Sequence, residues 1–394
     1  MEQKKSGSWF LAAGILLLSF NMRGPITAIG VLVGEIQQDL SISSSLAGLL
    51  TSIPLFSFAV FSLFIPPLAN RLGNTRSVIA GLFILIAGLL MRSLLGTIGL
   101  FLGMFLTGLG ITVFNVLIPS LIKENFPLQI GLMTGLYNCC LTIFSGISSG
   151  ASVPISQATS WQFSLLVWIF PATVALIVWG FSLRHQPQPS LPQRQLRKPA
   201  SWKILFRSPL AWQVAFCMGL QSFIWYGLSA WLPSLLLIKG MNAESAGFIG
   251  SFLQLLCLPS AFLVPIIATR MHSQRLISAI CYSCYFVGLL GLLFIPGGFW
   301  LYFFIAILGL GCGTGVPLAV SFIALRSNSV SQAAQLSGMS QSFGYLLATF
   351  SPILLGFLFD LTHGWTIPLL LLAAAAAAMI VFGQFAGRNI RLPE

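Results

Sequence analysis

Arg23 is the only charge between Trp9 and Glu35, in a stretch that reads WFLAAGILLLSFNMRGPITAIGVLVGEI through Ile36. At ~1.5 Å of rise per helical residue it lies roughly 20 Å from Trp9 and about as far from Glu35. A guanidinium held that far inside apolar chain is costly unless it faces a partner or a water-filled space. Its planar fork suits bidentate binding of an anion or a polarised acceptor group. Two readings stay open: a bound anion supplies the partner, or Arg23 binds backbone carbonyls freed near Pro25 and locks the helix. Asn21 and Thr27 flank it on the same stretch. No Asp or Glu lies in the middle of any apolar run, and His185, His272 and His363 all fall between runs.

The remaining chemistry is hydrogen bonding. Gln221, Ser222, Trp225, Tyr226 and Ser229 recur at i, i+3 and i, i+4 spacing, so they form two adjacent stripes on one helix. They suit a polar cavity with Trp225 as a flat wall, or an interfacial aromatic belt with interhelical bonds. Asn115, Tyr137, Asn138, Gln341, Ser342 and Tyr345 divide in the same way, between cavity lining and interhelical glue. Arg92 ends an apolar run and is expected to snorkel to the surface, with attraction of an anion the alternative. The seven cysteines (139, 140, 217, 257, 281, 284, 312) all sit in apolar runs. Cys281 and Cys284 have ligand spacing but no second pair, so neither metal nor cofactor is expected. Residues 309–315 are glycine-rich but lack a preceding strand and a following Lys-Ser/Thr, which points to close helix packing rather than a phosphate loop. No nucleophile, acid–base or metal cluster suggests an enzyme.

The elements that must position these groups are apolar. The chain is 57% hydrophobic and 7% charged. A soluble domain carries about 25% charged residues, so folding in water is excluded. The net charge of +12 does not indicate nucleic acid, because the cations lie in short segments between apolar runs rather than on one face. The runs are 9–36, 45–69, 77–95, 98–122, 128–152, 161–183, 208–236, 243–268, 276–296, 299–324, 332–359 and 365–387. Each is long enough to span a bilayer, giving an all-α membrane protein of twelve transmembrane helices. Gly and Pro within the runs are not expected to break them, since neighbours can satisfy the freed backbone groups. Residues 1–8 resemble a signal n-region, but the run that follows is too long, so a retained first helix is expected. With both termini cytoplasmic, 16 of the 19 basic residues fall on the inner side, Arg92 and Lys239 on the outer, and Arg23 within the membrane. Glu35, Asp39, Glu244 and Asp360 then mark outer ends.

Residues 184–205 form a Pro-, Gln- and Arg-rich linker between halves 1–183 and 206–394, which repeat each other. Pro66, Ala69, Arg71 and Arg76 recur as Pro265, Ala268, Arg270 and Arg275, 199 residues on; Gly108 and Gly110 recur as Gly309 and Gly311, 201 on. Gly135 and Asn138 pair with Gly338 and Gln341 at 203, and Trp161 with Trp365 at 204. Two parallel six-helix repeats resemble the major facilitator superfamily, which places its substrate near the midplane between halves. The segment 66–76, PPLANRLGNTR, is similar to that superfamily's G-x-L-A-D-R-x-G-x-x-R loop, with Arg71, Gly73 and Arg76 matching, Asn70 in place of Asp and Pro66 in place of Gly.

Asn21-Met22-Arg23 with Thr27 and Gly30 resembles the N-[ML]-R-P-x-x-T-x-x-G pattern of the cyanate permease/2-nitroimidazole transporter family, with the proline displaced to Pro25. Met91-Arg92, the run 118–123, Tyr226-Gly227-Leu228, the run 230–233 and Gly309-Leu-Gly311 with Pro317 extend the likeness along the chain. The resemblance implies a secondary active transporter in a bacterial-type inner membrane, acting as a monomer in the lipid bilayer. It implies a small organic or inorganic anion, or a small polar heteroaromatic, moved by alternating access with Arg23 as the central charge. Asn21, Thr27, Asn115, Tyr137, Asn138, Gln221, Ser222, Trp225, Tyr226, Gln341, Ser342 and Tyr345 are the supporting candidates. Arg71, Gly73, Arg76, Arg270 and Arg275 would gate, and Glu35 and Asp360 are candidate coupling groups. Efflux of neutral drug-like compounds and a non-transporting sensor or scaffold are the alternatives.

Overall fold

Lipid offers no hydrogen bonds, so apolar runs this long can satisfy their own backbone only as helix. The computed structural model describes residues 2–42, 44–185 and 202–393 and is helical along nearly all of them, with no strand among the described residues. The first eight helices are α1 (Glu2–Asp39), α2 (Ser44–Phe61), α3 (Ile65–Leu72), α4 (Asn74–Leu94), α5 (Gly96–Asn125), α6 (Ile130–Ala158), α7 (Trp161–Leu166) and α8 (Ile169–His185). After residues 186–201, which lie outside the described set with most of the expected linker, come α9 (Trp202–Arg207), α10 (Pro209–Ile238), α11 (Ala243–Arg270) and α12 (Arg275–Phe294). The last four are α13 (Phe299–Cys312), α14 (Gly315–Arg326), α15 (Val330–Thr362) and α16 (Thr366–Ala386). Among the described residues, eleven segments are long and apolar enough to cross a membrane, and α2 with α3 makes a twelfth. They match the twelve expected runs in order.

The expectation that proline leaves every span intact fails between α2 and α3, while Trp161–Phe181 and Phe299–Arg326 each remain one span with a turn inside it. Between α2 and α3 the chain bends by 63°. Turns also divide α7 from α8 and α13 from α14. Each break starts four residues before a proline: Ser62 before Pro66, Val167 before Pro171, Gly313 before Pro317. Proline has no N–H for the carbonyl at i−4, and its ring crowds that carbonyl. Shorter-range bonds take over, from Phe170 N to Val167 O (3.1 Å) and from Thr314 N to Gly311 O (2.8 Å). Pro25, Pro54, Pro119 and Pro154 instead sit inside continuous helices.

The chain divides into two compact units. One comprises Met1–Pro127, Cys139–Ser201 and Ser329–Gly338; the other comprises Leu128–Asn138, Trp202–Asn328 and Met339–Glu394. Each unit therefore includes a helix start from the opposite half of the sequence. Within the first, Gly338 of α15 packs so closely that a Cβ there would lie 2.6 Å from Ser62 O. Within the second, a Cβ on Gly135 of α6 would lie 2.7 Å from Phe262 O. Gly135 and Gly338 are repeat partners, so each unit closes on the other half's helix through the same small residue.

A second pair of contacts obeys the repeat. Ser148 Oγ of α6 donates to Gly24 O of α1 at 2.6 Å, and Ser351 Oγ of α15 donates to Phe223 O of α10 at 2.6 Å. The serines are 203 apart and the acceptors 199. That register makes Ser222 the counterpart of Arg23. Gly73 is required by its backbone: it has φ +91°, a region costly to residues with a Cβ, and joins α3 to α4.

Candidate functional site

In the first unit the site is built on α1. Arg23 is partly exposed, as is Thr27 one turn later, and Gly30 and Gly34 are exposed beyond them. The four share a face, since their helical positions fall within about 60° of one another. A Cβ on Gly30 or Gly34 would meet nothing within 4 Å, so this face looks onto open space. The opposite side of the same turn is tightly held. A Cβ on Gly24 would lie 2.5 Å from Trp168 Cζ3, so glycine alone lets α1 approach that ring. Thr27 Oγ1 donates to Arg23 O at 3.1 Å, with Gly24 O and Ser145 O farther off.

Asn21 does not share the open face. It is fully buried, and its amide donates to Leu17 O (2.8 Å) and Pro171 O (3.2 Å), tying α1 to α8. Asn115 of α5 is 8% exposed, and its carbonyl accepts from Ser337 Oγ at 3.4 Å. Glu35, exposed at the far end of α1, accepts from Ser156 Oγ at 2.6 and 2.7 Å; Asp39 accepts from Trp161 Nε1 at 2.8 Å. Near the end of α3, Asn70 Oδ1 accepts from Ser331 Oγ at 3.1 Å, a neutral bond where the superfamily's motif has a carboxylate. Arg71 and Arg76 beside it are exposed.

Arg92 corrects an expectation. It does not snorkel: at 0% exposure it is among the largest fully buried side chains. Its Nη1 donates to Pro25 O at 2.6 Å and approaches Met104 Sδ at 3.6 Å, while Nη2 donates to Leu165 O at 3.3 Å. A glycine opposite makes this possible, because a Cβ on Gly103 would lie 2.6 Å from Arg92 Cβ. The sequence signal for burial was that glycine, together with the proline in α1.

The second unit carries the amide and aromatic groups. Gln221 and Ser222 are buried on α10; Gln221 Nε2 donates to Ser222 Oγ (2.6 Å), which donates to Met218 O (2.9 Å). Gly315 of α14 lets Gln221 approach, since a Cβ there would lie 2.9 Å from Gln221 Oε1. Trp225 and Tyr226 are half-buried, and Tyr226 meets Tyr345 edge-on with ring centroids 6.4 Å apart. Gln341 is 1% exposed and its Oε1 has no hydrogen-bond partner, whereas its repeat counterpart Asn138 donates to Thr134 O at 2.8 Å. Tyr137 is buried and Ser342 half-buried. Arg270 and Arg275 are exposed; Asp360 is exposed at the end of α15. Sequence reasoning did not single out Arg326, which is 2% exposed and donates to Ala386 O (2.9 Å) and to Gln274 Oε1.

A helical chain of twelve apolar spans, with a partly exposed mid-span cation among the described residues, can be set against known proteins. The sequence profile described as Major Facilitator Superfamily matches residues 10–349. The chain belongs to that superfamily. The uncharacterized transporter YycB of Bacillus subtilis is 43% identical over 98% of this chain and 96% of its own length. The 2-nitroimidazole transporter of Escherichia coli is 36% identical over 96% of this chain and 95% of its own. The cyanate transport protein CynX of the same organism is 27% identical over 86% and 87%. The likeness read from Asn21-Met22-Arg23 is thus borne out. The solved proton:xylose symporter XylE superposes with a TM-score of 0.83 over 99% of this chain and 98% of that chain, at 11% identity, which bears on fold alone. The protein is a multi-pass membrane transporter.

Proposed function

We propose that this transporter moves a small organic or inorganic anion, or a small polar heteroaromatic, and that Arg23 is the charge the solute meets. The observation that carries this reading is the setting of Arg23: a partly exposed guanidinium within a 29-residue apolar span, on a face where Gly30 and Gly34 border open space. The relatives named for cyanate and 2-nitroimidazole support the solute class, one a small anion and the other a polar ring. Gln221, Ser222, Tyr226, Asn138 and Gln341 are the hydrogen-bonding groups of this reading and Trp225 its flat wall, while Asn21 serves by holding α1. The halves 1–183 and 206–394 rock about the site, with both termini cytoplasmic, in a monomer of the bacterial inner membrane.

Uptake into proteoliposomes tests it, with radiolabelled cyanate, benzoate and 2-nitroimidazole as probes. The wild type transports at least one, Arg23→Ala abolishes that transport while remaining folded, and Arg23→Lys is impaired because it loses the bidentate fork. Wild-type kinetics in Arg23→Ala would remove the assignment.

A further inference from the structure

The two cations nearest the middle of α1 differ in burial. Arg23 is partly exposed on the open face, whereas Arg92 is wholly buried and grips the carbonyl of Pro25, two residues along the same helix. Proline leaves the Asn21 carbonyl without its i+4 donor, so this turn of α1 is the one whose geometry depends most on outside contacts. Those contacts are Trp168 against Gly24, Ser148 on the Gly24 carbonyl and Arg92 on the Pro25 carbonyl. The internal repeat separates scaffold from function here. The serine contact recurs in the second half as Ser351 to Phe223 O. The arginine contact does not: at offsets of 199 and 200, Arg92 corresponds to Gly291 and Leu292, Pro25 to Ile224 and Arg23 to Ser222. The second half has a buried arginine too, Arg326, but its donors go to Ala386 O and Gln274 Oε1.

We propose that Arg92 is a positioning residue for Arg23, clamping α1 at Pro25 and so fixing how the Arg23 guanidinium is presented to the solute. The proposal rests on the anion-binding reading of Arg23, but the clamp is measurable without any solute. Phenylglyoxal condenses with accessible guanidinium groups, and peptide mass spectrometry reads its rate at each arginine of the whole protein in lipid nanodiscs. In Arg92→Met the rate at Arg23 changes by at least about threefold, the scale of a contact-coupled pair, while the rate at exposed Arg270 stays constant. Arg92→Lys, which keeps the charge but loses the fork, falls between the two. An unchanged Arg23 rate in a folded Arg92 variant overturns the proposal, and so does failure of both variants to fold, which would make Arg92 a residue of the scaffold alone. Because no solute is present, this result is separable from the uptake test: Arg23→Ala can retain uptake while the clamp is upheld, and the reverse.

Discussion

Three glycines on one helix give the sharpest quantitative test. In Gly24→Ala the new methyl carbon would lie 2.5, 2.7 and 3.1 Å from three carbons of the Trp168 ring. Carbon atoms rest at about 3.5–4.0 Å, so α1 and the ring must part by roughly 1 Å. The ring is 8% exposed and rigid, and has no flexible end to yield. Overpacking of this kind costs about 1–3 kcal/mol. The same movement stretches the 2.6 Å bonds from Ser148 to Gly24 O and from Arg92 to Pro25 O. Weakening them adds about 1 kcal/mol, so the expected loss is roughly 2–4 kcal/mol. Gly30→Ala and Gly34→Ala place the same methyl in open space and should change stability by less than about 0.5 kcal/mol. Equilibrium unfolding by SDS in mixed micelles, followed by circular dichroism, measures all three. Trp168→Leu in the Gly24→Ala background should be less destabilised than the two single changes added together, because the collision is then absent. Gly24→Ala matching Gly30→Ala in stability would refute the packing argument.

The other expected outcomes concern proton coupling and the turn between α13 and α14. Glu35→Gln and Asp360→Asn should each retain pH-driven accumulation of the solute, since both carboxylates are exposed at helix ends rather than mid-span. Loss of that accumulation in either variant, read by proteoliposome uptake under an imposed pH gradient, would make that carboxylate a proton relay. Gly313→Ala should destabilise by about 2 kcal/mol or more, because its Cβ would collide with Cys257 O and Ser260 Oγ at the turn dividing α13 from α14. A melting temperature equal to wild type would show that the turn can move aside.

The sequence yields most where physics is local. Span number follows from hydropathy, the need for glycine at 73 from a loop motif, and the superfamily from ordered matches along the chain. It yields less where an outcome depends on a distant residue. Pro66 follows a broken span, Pro171 and Pro317 follow a turn inside an unbroken one, and Pro25 and Pro154 sit in continuous helix. Arg92 sits at a span end, a position as compatible with snorkelling as with burial, and the deciding residues are Gly103 and Pro25 on other helices. Asn21 reads as a neighbour of Arg23 in sequence, yet two residues along a helix are about 200° apart, and the amide is bound to α8 instead.

Because the halves descend from one pattern, each serves as a control for the other. What they share is packing: Gly135 with Gly338 and Ser148 with Ser351 at an offset of 203, Gly110 with Gly311 at 201, each at a close helix contact. Close approach leaves room for a small residue and little else, so these positions have few alternatives in either half. What they do not share is the setting of the first helix. Ser222 replaces Arg23, Ile224 replaces Pro25, and Gly291 or Leu292 replaces Arg92, so three differences fall on one turn of α1 and the side chain that grips it. Each half has a buried arginine, but Arg92 donates to the Pro25 carbonyl of α1, whereas Arg326 donates to Ala386 O and Gln274 Oε1. The halves therefore differ in what the buried arginine grips, and the proposed clamp on the Arg23 turn rests on that difference.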